Sequence, residues 1–526
     1  MISKEPRASI DLSHHLNAVS RSRHPSPLKD IVKYMALDDM VSLAGGLPHP
    51  SLFPFTNLTV STYDPSVTLD TCSGGKPAVI QDVSVSVIPK GTGRMSLTDA
   101  LQYNSGPGDI TLRNWAANFT REVFQPAYDD WEIILNGGNT DGWGKVVRTL
   151  CEPGDYILCE QHTYPSAQAV WAPMGCKAVP IAMDAGGLRA DALEQNLSQL
   201  SKSKGRRPRL LYVVPVGSNP TGVTMNGERR KQIYEVCVRY DVVIVEDDPY
   251  SFLQFPAFEP DTAAFDPLLP SEASTAEFLE SLAPSFLRYD DQGRVIRLDS
   301  FSKTIAPGNR LGYFVANPIF IERLLRTTEV ETQAPSGWSS VILSNVLHSW
   351  GTSGYLQWLA QLRNQYRARR DWLCNSIADS FLLESAKSSR ESPADAEGLV
   401  AFHSTTRKVP IFSFVPPTGG MFVWARFYIA CSSKYQEMLS LNSCTDPEKA
   451  FQDELWLAMA DARVLLTPGS YYTPWEGKDK VTTEERGAQK DIIHFRLSFS
   501  MTTKEEMELG VSRMATVLRR FWDDPE

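Results

Sequence analysis

The chain has 526 residues, of which 42% are hydrophobic and 22% are charged, a balance typical of globular proteins and a length that favours two domains. The formal net charge of −10 and the pI of about 5.5 argue against nucleic acid or an anionic membrane as the main partner. No apolar run reaches the roughly 18 residues that a membrane-spanning helix needs, so no membrane association is expected.

The N-terminal region carries no sign of a secretory signal, because residues 1–30 contain no continuous apolar stretch. Their arginine and serine content faintly resembles that of a transit peptide, but Glu5 and Asp11 argue against this interpretation. We therefore expect a cytoplasmic protein that begins with a disordered or domain-swapped arm. Residues 1–56 are predicted to form this arm and part of a smaller domain.

The eight cysteines are scattered along the chain, with no C-x-x-C pair. This distribution is typical of free thiols in a reducing compartment. No spacing of histidine and cysteine indicates a metal site, so no metal is expected.

The middle of the chain has the pattern of an α/β domain. Residues 57–98, rich in Ser, Thr, Val and Gly, are predicted to be an insertion. Over residues 99–336, short apolar runs alternate with helical patterns, which indicates a mostly parallel sheet covered on both faces. The stretch at about 257–290 interrupts this pattern and is predicted to be a surface insertion.

The last part of the chain is predicted to be a smaller α+β domain. Residues 337–526 begin with one long helical pattern, which we interpret as a linking helix, and continue with mixed helix and strand signals. A segment at about 383–408, rich in Ser, Glu and Lys, is predicted to be a second surface insertion.

Ligands of mostly parallel sheets bind beyond the carboxyl ends of the strands, so the polar residues there are the candidates for function. After the run "EIIL" comes a Gly-rich turn that opens a helix and includes Asn139 and Thr140. Free backbone N–H groups at such a turn suit a phosphate, although a plain turn with a helix cap explains the same residues. After "DYILCE", the ring of Tyr164 is either an ordinary aromatic wall or a surface that stacks on a flat ligand.

Two further strand ends carry polar groups. Asn219 begins the sequence "NPTG", which is either a simple turn or the donor of an amide hydrogen bond to a ligand oxygen. The run "VVIV" ends in "EDDPY", where carboxylates beside a buried strand are costly unless they are paired. A metal would explain them, and so would a protonated heterocyclic nitrogen next to Asp247, with Tyr250 three residues further on.

The segment "RLDSFSKTIAPGNRLGYFV" concentrates polar groups at the end of another apolar run. Ser300, Ser302 and Arg310 suit a phosphate dianion. Lys303, partly desolvated between them, could lose its proton and form a Schiff base, although most single lysines are exposed and ion-paired. Together, the strand ends specify a flat ligand with a phosphate, a protonatable ring nitrogen and an aldehyde, which is pyridoxal phosphate.

Eight ordered segments carry a family resemblance that extends over about residues 25–515: "SLAGGLPHPSLFPF", "LQYNSGPGDITLRNW", "GGNTDGWGK", "NPTG", "EDDPYSFLQF", "DSFSKTIAPGNRLGY", "GGMFVW" and "HFRLSFS". With them the chain resembles the fold-type-I, class I/II pyridoxal-phosphate aminotransferases, most of all the fungal aromatic, 2-aminoadipate and kynurenine aminotransferases. The resemblance implies a large domain with a seven-stranded, mostly parallel sheet and a smaller α+β domain.

The resemblance also implies roles for the cofactor-binding residues. Lys303 would carry the cofactor and move the proton, Asp247 would pair with the ring nitrogen, and Asn219 and Tyr250 would bind the phenolic oxygen. Tyr164 would stack on the ring. The phosphate would be held by Asn139, Thr140, Ser300, Ser302 and Arg310.

Three roles concern the substrate and a second subunit. Arg496, in "HFRLSFS", would bind the substrate carboxylate together with Asn219, and Gly46 would border the substrate pocket. Tyr103 would reach the phosphate of the neighbouring subunit, which implies a homodimer. Lys29 stands where kynurenine and aminoadipate relatives have an arginine, so its contact with the substrate stays open.

The function implied is transfer of the amino group of an aromatic L-amino acid to a 2-oxo acid, with 2-oxoglutarate as the expected acceptor, by a ping-pong mechanism. Alternatives are a 2-aminoadipate or kynurenine aminotransferase and an aminotransferase of secondary metabolism. A lyase or decarboxylase with the same cofactor, or an aminotransferase-like transcription regulator, is less favoured. The regulator would need a basic domain before the motifs, where only about 40 residues stand.

Overall fold

The computed structural model describes residues 7–27, 34, 37–41, 43–44, 46–67, 80–86, 94–202, 208–259, 274–403, 409–441, 444–474 and 489–522. These residues form a large domain around one sheet and a smaller domain around another. None of their helices is long and apolar enough to cross a membrane.

The strands within the described ranges are β1 (Asn57–Tyr63), β2 (Ile80–Ser86), β3 (Glu132–Asn136), β4 (Tyr156–Glu160), β5 (Lys177–Ile181), β6 (Met183–Asp184), β7 (Gly187–Leu188), β8 (Leu210–Val213), β9 (Val243–Asp247), β10 (Val295–Ser300), β11 (Gly312–Ala316), β12 (Leu382–Ser385), β13 (Leu399–Phe402), β14 (Pro410–Phe414), β15 (Phe422–Tyr428), β16 (Thr467–Pro468) and β17 (Ile492–Ser498).

The α-helices within the same ranges are α1 (Ala18–Ser22), α2 (Leu97–Leu101), α3 (Ile110–Val123), α4 (Asn139–Leu150), α5 (Pro165–Trp171), α6 (Ala190–Lys202), α7 (Gly227–Arg239), α8 (Thr275–Glu280), α9 (Pro318–Glu331), α10 (Gly337–Ser380), α11 (Ser433–Leu441), α12 (Pro447–Asp461) and α13 (Lys504–Trp522). Short 3-10 helices stand at Ser13–His15, Pro50–Leu52, Ala172–Met174, Phe286–Arg288, Pro307–Asn309, Ile429–Cys431 and Gly469–Tyr472.

The large domain contains the predicted sheet, which has seven strands among the described residues in the order β3-β11-β10-β9-β8-β4-β5. From β10 to β5 each pair of neighbours is parallel, and β11 alone in this sheet runs antiparallel to both of its neighbours. Strands β8 to β11 are buried along their whole length, because helices cover both faces and no polar face is needed. The carboxyl ends of β4, β8, β9 and β10 therefore meet at one edge.

The smaller domain contains an antiparallel sheet in the order β12-β13-β14-β15-β17-β16. Helix α10 connects it to the large domain by packing against α3 at one end and α13 at the other. The helix is bent at Gly351, whose φ of 65° is outside the helical region. Strand β17 pairs with β15 so that Arg496 lies opposite Trp424.

The two domains touch next to the "NPTG" turn. A Cβ atom on Gly217 would lie 2.3 Å from Cα of Gly420, so the backbones approach as closely as only glycines allow. A β-bridge between Gln254 and Gly419 lies at the same contact. This contact places the end of β8 beside the start of β15 and so brings Asn219 close to β17.

The N-terminal arm differs from the prediction. Residues 7–23 pack on the large domain of the same chain, not on the smaller domain, and Leu12 is fully buried there. The Asn17 side chain donates to the carbonyls of Arg148 and Cys151, at 2.8 Å each. These carbonyls at the end of α4 lack helical partners, which explains why the arm docks there.

Two histidines of the arm also dock. His14 and His15 place their Nε2 atoms 2.7 and 3.1 Å from the carboxylate of Asp241. Arg294 approaches the same carboxylate at 2.8 Å, so the contact is an ion-paired anchor.

Two predicted surface insertions were wrong in part. Residues 260–273 lie outside the described residues, but the second half of the 257–290 segment belongs to the core, where Phe286 and Leu287 are fully buried. The serines and prolines around Phe286 and Leu287 favoured the prediction of a surface insertion over that of a buried segment. The segment at 383–408 begins in β12 and contains β13, two paired strands of the smaller sheet, so its insertion is confined to the connection between and after them.

The segment predicted to be an insertion at 57–98 contains the strands β1 and β2. β1 and β2 form an antiparallel hairpin, and β2 packs against α10.

Candidate active site

One acidic side chain at the end of β9 lies at the centre of the cleft. Asp247 is buried, and each of its carboxylate oxygens accepts a hydrogen bond of 2.6 Å, one from the hydroxyl of Tyr212 and one from the amide of Asn139. No cationic side chain among the described residues lies within 4 Å of it. Burial raises the pKa of Asp247 to about 6, although the two donors lower it. A buried carboxylate with neutral partners alone is suited to receive a cationic group.

The hydroxyl and guanidinium groups at the end of β10 form a second part of the site. Ser302 Oγ accepts from Ser300 Oγ at 2.9 Å and from Arg310 Nη1 at 3.0 Å. Arg310 also donates to the carbonyl of Gly137, at 3.2 Å. Gly138 has a φ of 96°, and a Cβ there would lie 2.4 Å from Nη2 of Arg310. Only glycine therefore lets this turn approach the guanidinium.

The start of helix α4 lies at the same place, so its free N–H groups and its positive end add to the charge of Arg310. Arg310 forms no ion pair with a carboxylate of the described residues. Hydroxyls, a helix start and an unpaired guanidinium together make a site for a phosphate.

Lys303 follows this hydroxyl group and is half-buried. Burial lowers its pKa, and the positive charges of Arg310 and Arg496 lower it further. No carboxylate among the described residues forms an ion pair with it. A lysine in this environment releases its proton more easily than an exposed one, which favours its action as a nucleophile and as a base.

Arg496 reaches the cleft from β17 of the smaller domain. Its Nη1 donates to Oδ1 of Asn219 at 2.7 Å, and its guanidinium carbon lies 4.1 Å from the ring centre of Phe422 and 5.1 Å from that of Tyr472. Its Nε is buried and has no partner. No carboxylate of the described residues pairs with Arg496, so the guanidinium is available to a carboxylate from outside the chain.

Two tyrosines complete the cleft. Tyr250 is buried, and burial raises its pKa while the charge of Arg496 lowers it. Its ring lies edge-on to Phe422, at 6.1 Å. Tyr164 stands at the start of α5 and is close enough to influence the pKa of Arg496 and of Tyr250. The structure thus brings Asp247, Tyr250 and Tyr164 into one cleft.

Of the other predicted site residues, one has a different side-chain partner, and the rest are exposed or lie outside the described residues. The side chain of Asn139 is directed at Asp247 and at the carbonyl of Leu298, so it is not free to hold a phosphate, and its backbone N–H remains at the helix start. Thr140 is exposed in the first turn of α4. Gly46 is exposed, and a Cβ there would meet no atom within 4 Å. Tyr103 is 70% exposed, and Lys29 lies outside the described residues.

Several residues of the cleft did not stand out in the sequence. Tyr212 lies inside the apolar run "LLYVVP", where a tyrosine has the pattern of an ordinary core residue. Glu160 ends β4 and is fully buried, accepting from the N–H of Val214 at 3.2 Å and from Ser218 Oγ at 3.1 Å. Its position at a strand end was the available signal. Burial raises the pKa of Glu160 to about 8.

The charges of the cleft fit pyridoxal phosphate. Asp247 matches the protonated ring nitrogen, the group around Arg310 matches the phosphate, and Lys303 matches the aldehyde. Asp247 and Arg310 each lack an ion-pair partner among the described residues, so the ring nitrogen and the phosphate of the cofactor would supply the missing opposite charges.

Comparisons with known proteins agree with this fit. Residues 95–513 match the family model of aminotransferase class I and II. The chain is 34% identical to an aromatic amino acid aminotransferase of Schizosaccharomyces pombe over 97% of its length and 98% of the relative's. It is 33% identical to an L-tyrosine:2-oxoglutarate aminotransferase of Serpula lacrymans over 88% of its length and 84% of the relative's.

The fold matches a solved structure as well. The crystal structure of aminotransferase Aro8 from Candida albicans superposes with a TM-score of 0.83 at 32% identity, covering 98% of this chain and 99% of the other. The chain belongs to the class I and II aminotransferases, and it is a pyridoxal-phosphate-dependent transaminase of fold type I.

Proposed function

We propose that the protein transfers the amino group of an aromatic L-amino acid to 2-oxoglutarate by a ping-pong mechanism. The observation that carries the proposal is the unpaired guanidinium of Arg496, which faces Phe422 and Tyr472 across the cleft from Lys303. This arrangement binds the carboxylate of an amino acid next to aromatic surface. The relatives named for aromatic amino acids and for L-tyrosine with 2-oxoglutarate support the choice of substrates.

In this proposal the residues of the chain have separate tasks. Arg496 binds the substrate carboxylate through two N–H groups, and Asn219 orients the guanidinium by accepting from Nη1. Ser300, Ser302 and Arg310 hold the phosphate in place, and Tyr250 and Asn219 border the phenolic oxygen. When bound, pyridoxal phosphate supplies an aldehyde that condenses with amines and a protonated ring that accepts electron density from the substrate Cα.

Lys303 acts as the base of the proposed reaction. With pyridoxal phosphate and substrate bound, the neutral amine of Lys303 would take the proton from the substrate Cα and would then donate it again, so that Lys303 is regenerated. Burial and two neighbouring guanidinium groups favour its neutral form, which the base needs. Asp247 stays ionised and keeps the ring nitrogen protonated.

An amino-donor panel tests the substrate class. The holoenzyme is mixed with phenylalanine, tyrosine, tryptophan, 2-aminoadipate, kynurenine or aspartate, and the change in cofactor absorbance is followed in single half-reactions. We expect the aromatic donors to react with the highest kcat/KM and 2-oxoglutarate to restore the starting spectrum. A higher kcat/KM for 2-aminoadipate or kynurenine would contradict the proposed substrate class, with Lys303→Ala as the control that should react with no donor.

We also propose a homodimer. Several large apolar side chains are strongly exposed on the single chain, among them Val41 (83%), Leu43 (97%) and Leu52 (79%). Tyr103, with 70% of its surface exposed, lies in the same exposed set. Surface of this kind supports a protein interface, and Tyr103 is the residue proposed to reach the partner's phosphate.

Mixing of variants tests the dimer and the role of Tyr103 together. Lys303→Ala and Tyr103→Ala chains are each expected to be impaired, and mixed dimers should regain activity because one site combines an intact lysine with an intact tyrosine. If dimers that sedimentation shows to be mixed do not recover activity, the role of Tyr103 is contradicted.

The proposed cytoplasmic location, supported by free thiols at the described cysteines, is tested by cell fractionation with an antibody to the chain.

A further inference from the structure

A tyrosine in the middle of the large sheet contacts the central carboxylate of the cleft. Tyr212 is fully buried in β8, and its hydroxyl donates to Oδ2 of Asp247 at 2.6 Å. Its ring packs against Trp143, with ring centres 4.6 Å apart, and against Trp171 at 6.2 Å. The hydroxyl is therefore held in place by the packing of the ring, without a water-exposed side.

A second neutral donor contacts the other oxygen. The amide nitrogen of Asn139 lies 2.6 Å from Oδ1 of Asp247 and 3.2 Å from the carbonyl of Leu298. Asn139 is the first residue of α4, so the helix fixes the direction of this side chain. Each carboxylate oxygen of Asp247 thus accepts one hydrogen bond from a rigid, uncharged group, which sets the plane of the carboxylate.

We propose that Tyr212 and Asn139 are positioning residues that keep Asp247 ionised and aim it at the ring nitrogen of the cofactor. The inference rests on the proposed role of Asp247 and adds the two residues through which that role is maintained. Hydrogen bonds to a charged acceptor stabilise the charged form. Because both donors are neutral, they do so without cancelling the negative charge that the ring nitrogen needs.

A second buried carboxyl group near the cleft accepts longer hydrogen bonds than Asp247 does. Glu160 ends β4, which β8 separates from β9 in the sheet, and accepts hydrogen bonds of 3.1 and 3.2 Å from Ser218 and from the backbone of Val214. Burial raises the pKa of Glu160 to about 8, against about 6 for Asp247. In both groups burial is the main cause of the raised pKa and the hydrogen-bond donors oppose it, so the donors to Asp247 favour its ionised form.

The test uses Tyr212→Phe, which removes one oxygen atom and leaves the ring packing in place. Holoenzyme is prepared with ¹⁵N-labelled pyridoxal phosphate, and the ¹⁵N chemical shift of the ring nitrogen is measured by NMR. We expect the shift to move toward that of an unprotonated pyridine, and kcat to fall about tenfold while KM stays within about twofold. The affinity of the apoenzyme for pyridoxal phosphate should also fall by about tenfold.

The matched control is Tyr234→Phe. Tyr234 is also buried in the large domain and also donates to carboxylates, at 3.1 Å to Asp290 and 2.8 Å to Asp291, away from the cleft. Loss of the Tyr234 hydroxyl should lower the stability and leave the ¹⁵N chemical shift of the ring nitrogen and the cofactor affinity unchanged.

Asn139→Ala is the second test variant. It is expected to change the ¹⁵N chemical shift of the ring nitrogen in the same direction as Tyr212→Phe.

Asp247→Asn separates the possible failures. If this variant changes the ¹⁵N chemical shift of the ring nitrogen while Tyr212→Phe and Asn139→Ala do not, the positioning role is wrong and the role of Asp247 stands. If Asp247→Asn leaves that chemical shift unchanged, the proposed role of Asp247 itself is wrong. A shift of equal size in Tyr234→Phe would also overturn the positioning role, because it would show a general effect of lost tyrosine hydroxyls.

Discussion

Neighbouring carboxylates at the end of β9 have neutral partners on one face of the large sheet and cationic partners on the other. Asp247 points into the cleft, and its hydrogen-bond donors in the described part of the chain are both neutral. Glu246 and Asp248, one residue to either side, point to the opposite face because side chains alternate along a strand. There, Arg297 places Nη1 3.2 Å from Glu246 and 3.0 Å from Asp248.

The face opposite the cleft is a closed ion-pair network. Arg297 also pairs with Asp299 through Nε at 3.2 Å, and its guanidinium lies 3.8 Å from the ring centre of Phe124. Arg230 adds a second cation, 3.5 Å from Glu246. Burial alone lowers the pKa of Arg297, but the surrounding carboxylates raise it above its usual value, so the network keeps its charges.

Pairing with an opposite charge distinguishes the structural charges of this fold from the candidate functional ones. On the closed face every charge has an opposite charge, which is the arrangement that makes buried ions tolerable. In the cleft, Asp247, Lys303, Arg310 and Arg496 have none among the described residues. Burial shifts the pKa values of Asp247, Lys303 and Arg496, and such shifted groups are typical of sites that bind or react.

The largest effect is expected at the reacting group of the cleft. Lys303→Ala should lower transamination by about 10⁴-fold or more, because the chain loses both the attachment point and the base. The visible absorbance band of lysine-bound cofactor should be absent, while the unfolding free energy stays within about 1 kcal/mol of the parent. Normal turnover in this variant would contradict the assignment.

The closed face is compared with the cleft by replacing one arginine with methionine in each. Arg297→Met should lower the free energy of unfolding by about 3–5 kcal/mol, because three buried carboxylates lose their main partner. Arg310→Met should change the free energy of unfolding of the apoprotein little and weaken pyridoxal phosphate binding instead. Denaturant unfolding and cofactor titration of both variants measure the contrast, and equal stability losses would refute it.

The next effect concerns the substrate carboxylate. Arg496→Ala should raise the KM for the amino acid by about 100-fold, since a charge-assisted, two-point contact is lost. Pyridoxal phosphate should bind as before, because Arg310 and the serines, and not Arg496, are the residues proposed to hold the phosphate. Half-reaction rates that depend on amino acid concentration as in the parent would show that Arg496 does not bind the substrate.

The smallest effect is expected at Glu160, a buried acid that forms no ion pair with the described residues. Its pKa in the folded protein, about 8, lies above its ordinary value near 4.5. Its contribution to stability is therefore greatest below pH 4.5 and is lost as the pH rises toward 8. Glu160→Gln should remove about 1–2 kcal/mol of the decline in unfolding free energy between pH 6.5 and 8. The same decline in parent and variant would contradict the raised pKa.

Much of the cleft could be predicted because strand ends are visible in a sequence. Asp247, Lys303 and Arg310 follow apolar runs at points where parallel strands present them at a common edge. The family motifs around them are local, so their order along the chain was enough to predict the family. The roles of Tyr103 and Gly46 stay predictions, because they depend on a second subunit or on a segment that the single chain leaves exposed.

Other features depended on contacts between distant segments. The sequence alone determined the alternation of strands and helices, the polar groups at the strand ends and the family motifs, since each rests on local periodicity or composition. Only the tertiary structure decided that Tyr212 donates to Asp247, which requires β8 to lie beside β9. It also directed Asn139 to that carboxylate, and it joined Asn219 to Arg496 across the two domains. Hydrogen bonds between residues far apart in the chain depend on sheet order and domain contact, which a single sequence does not display.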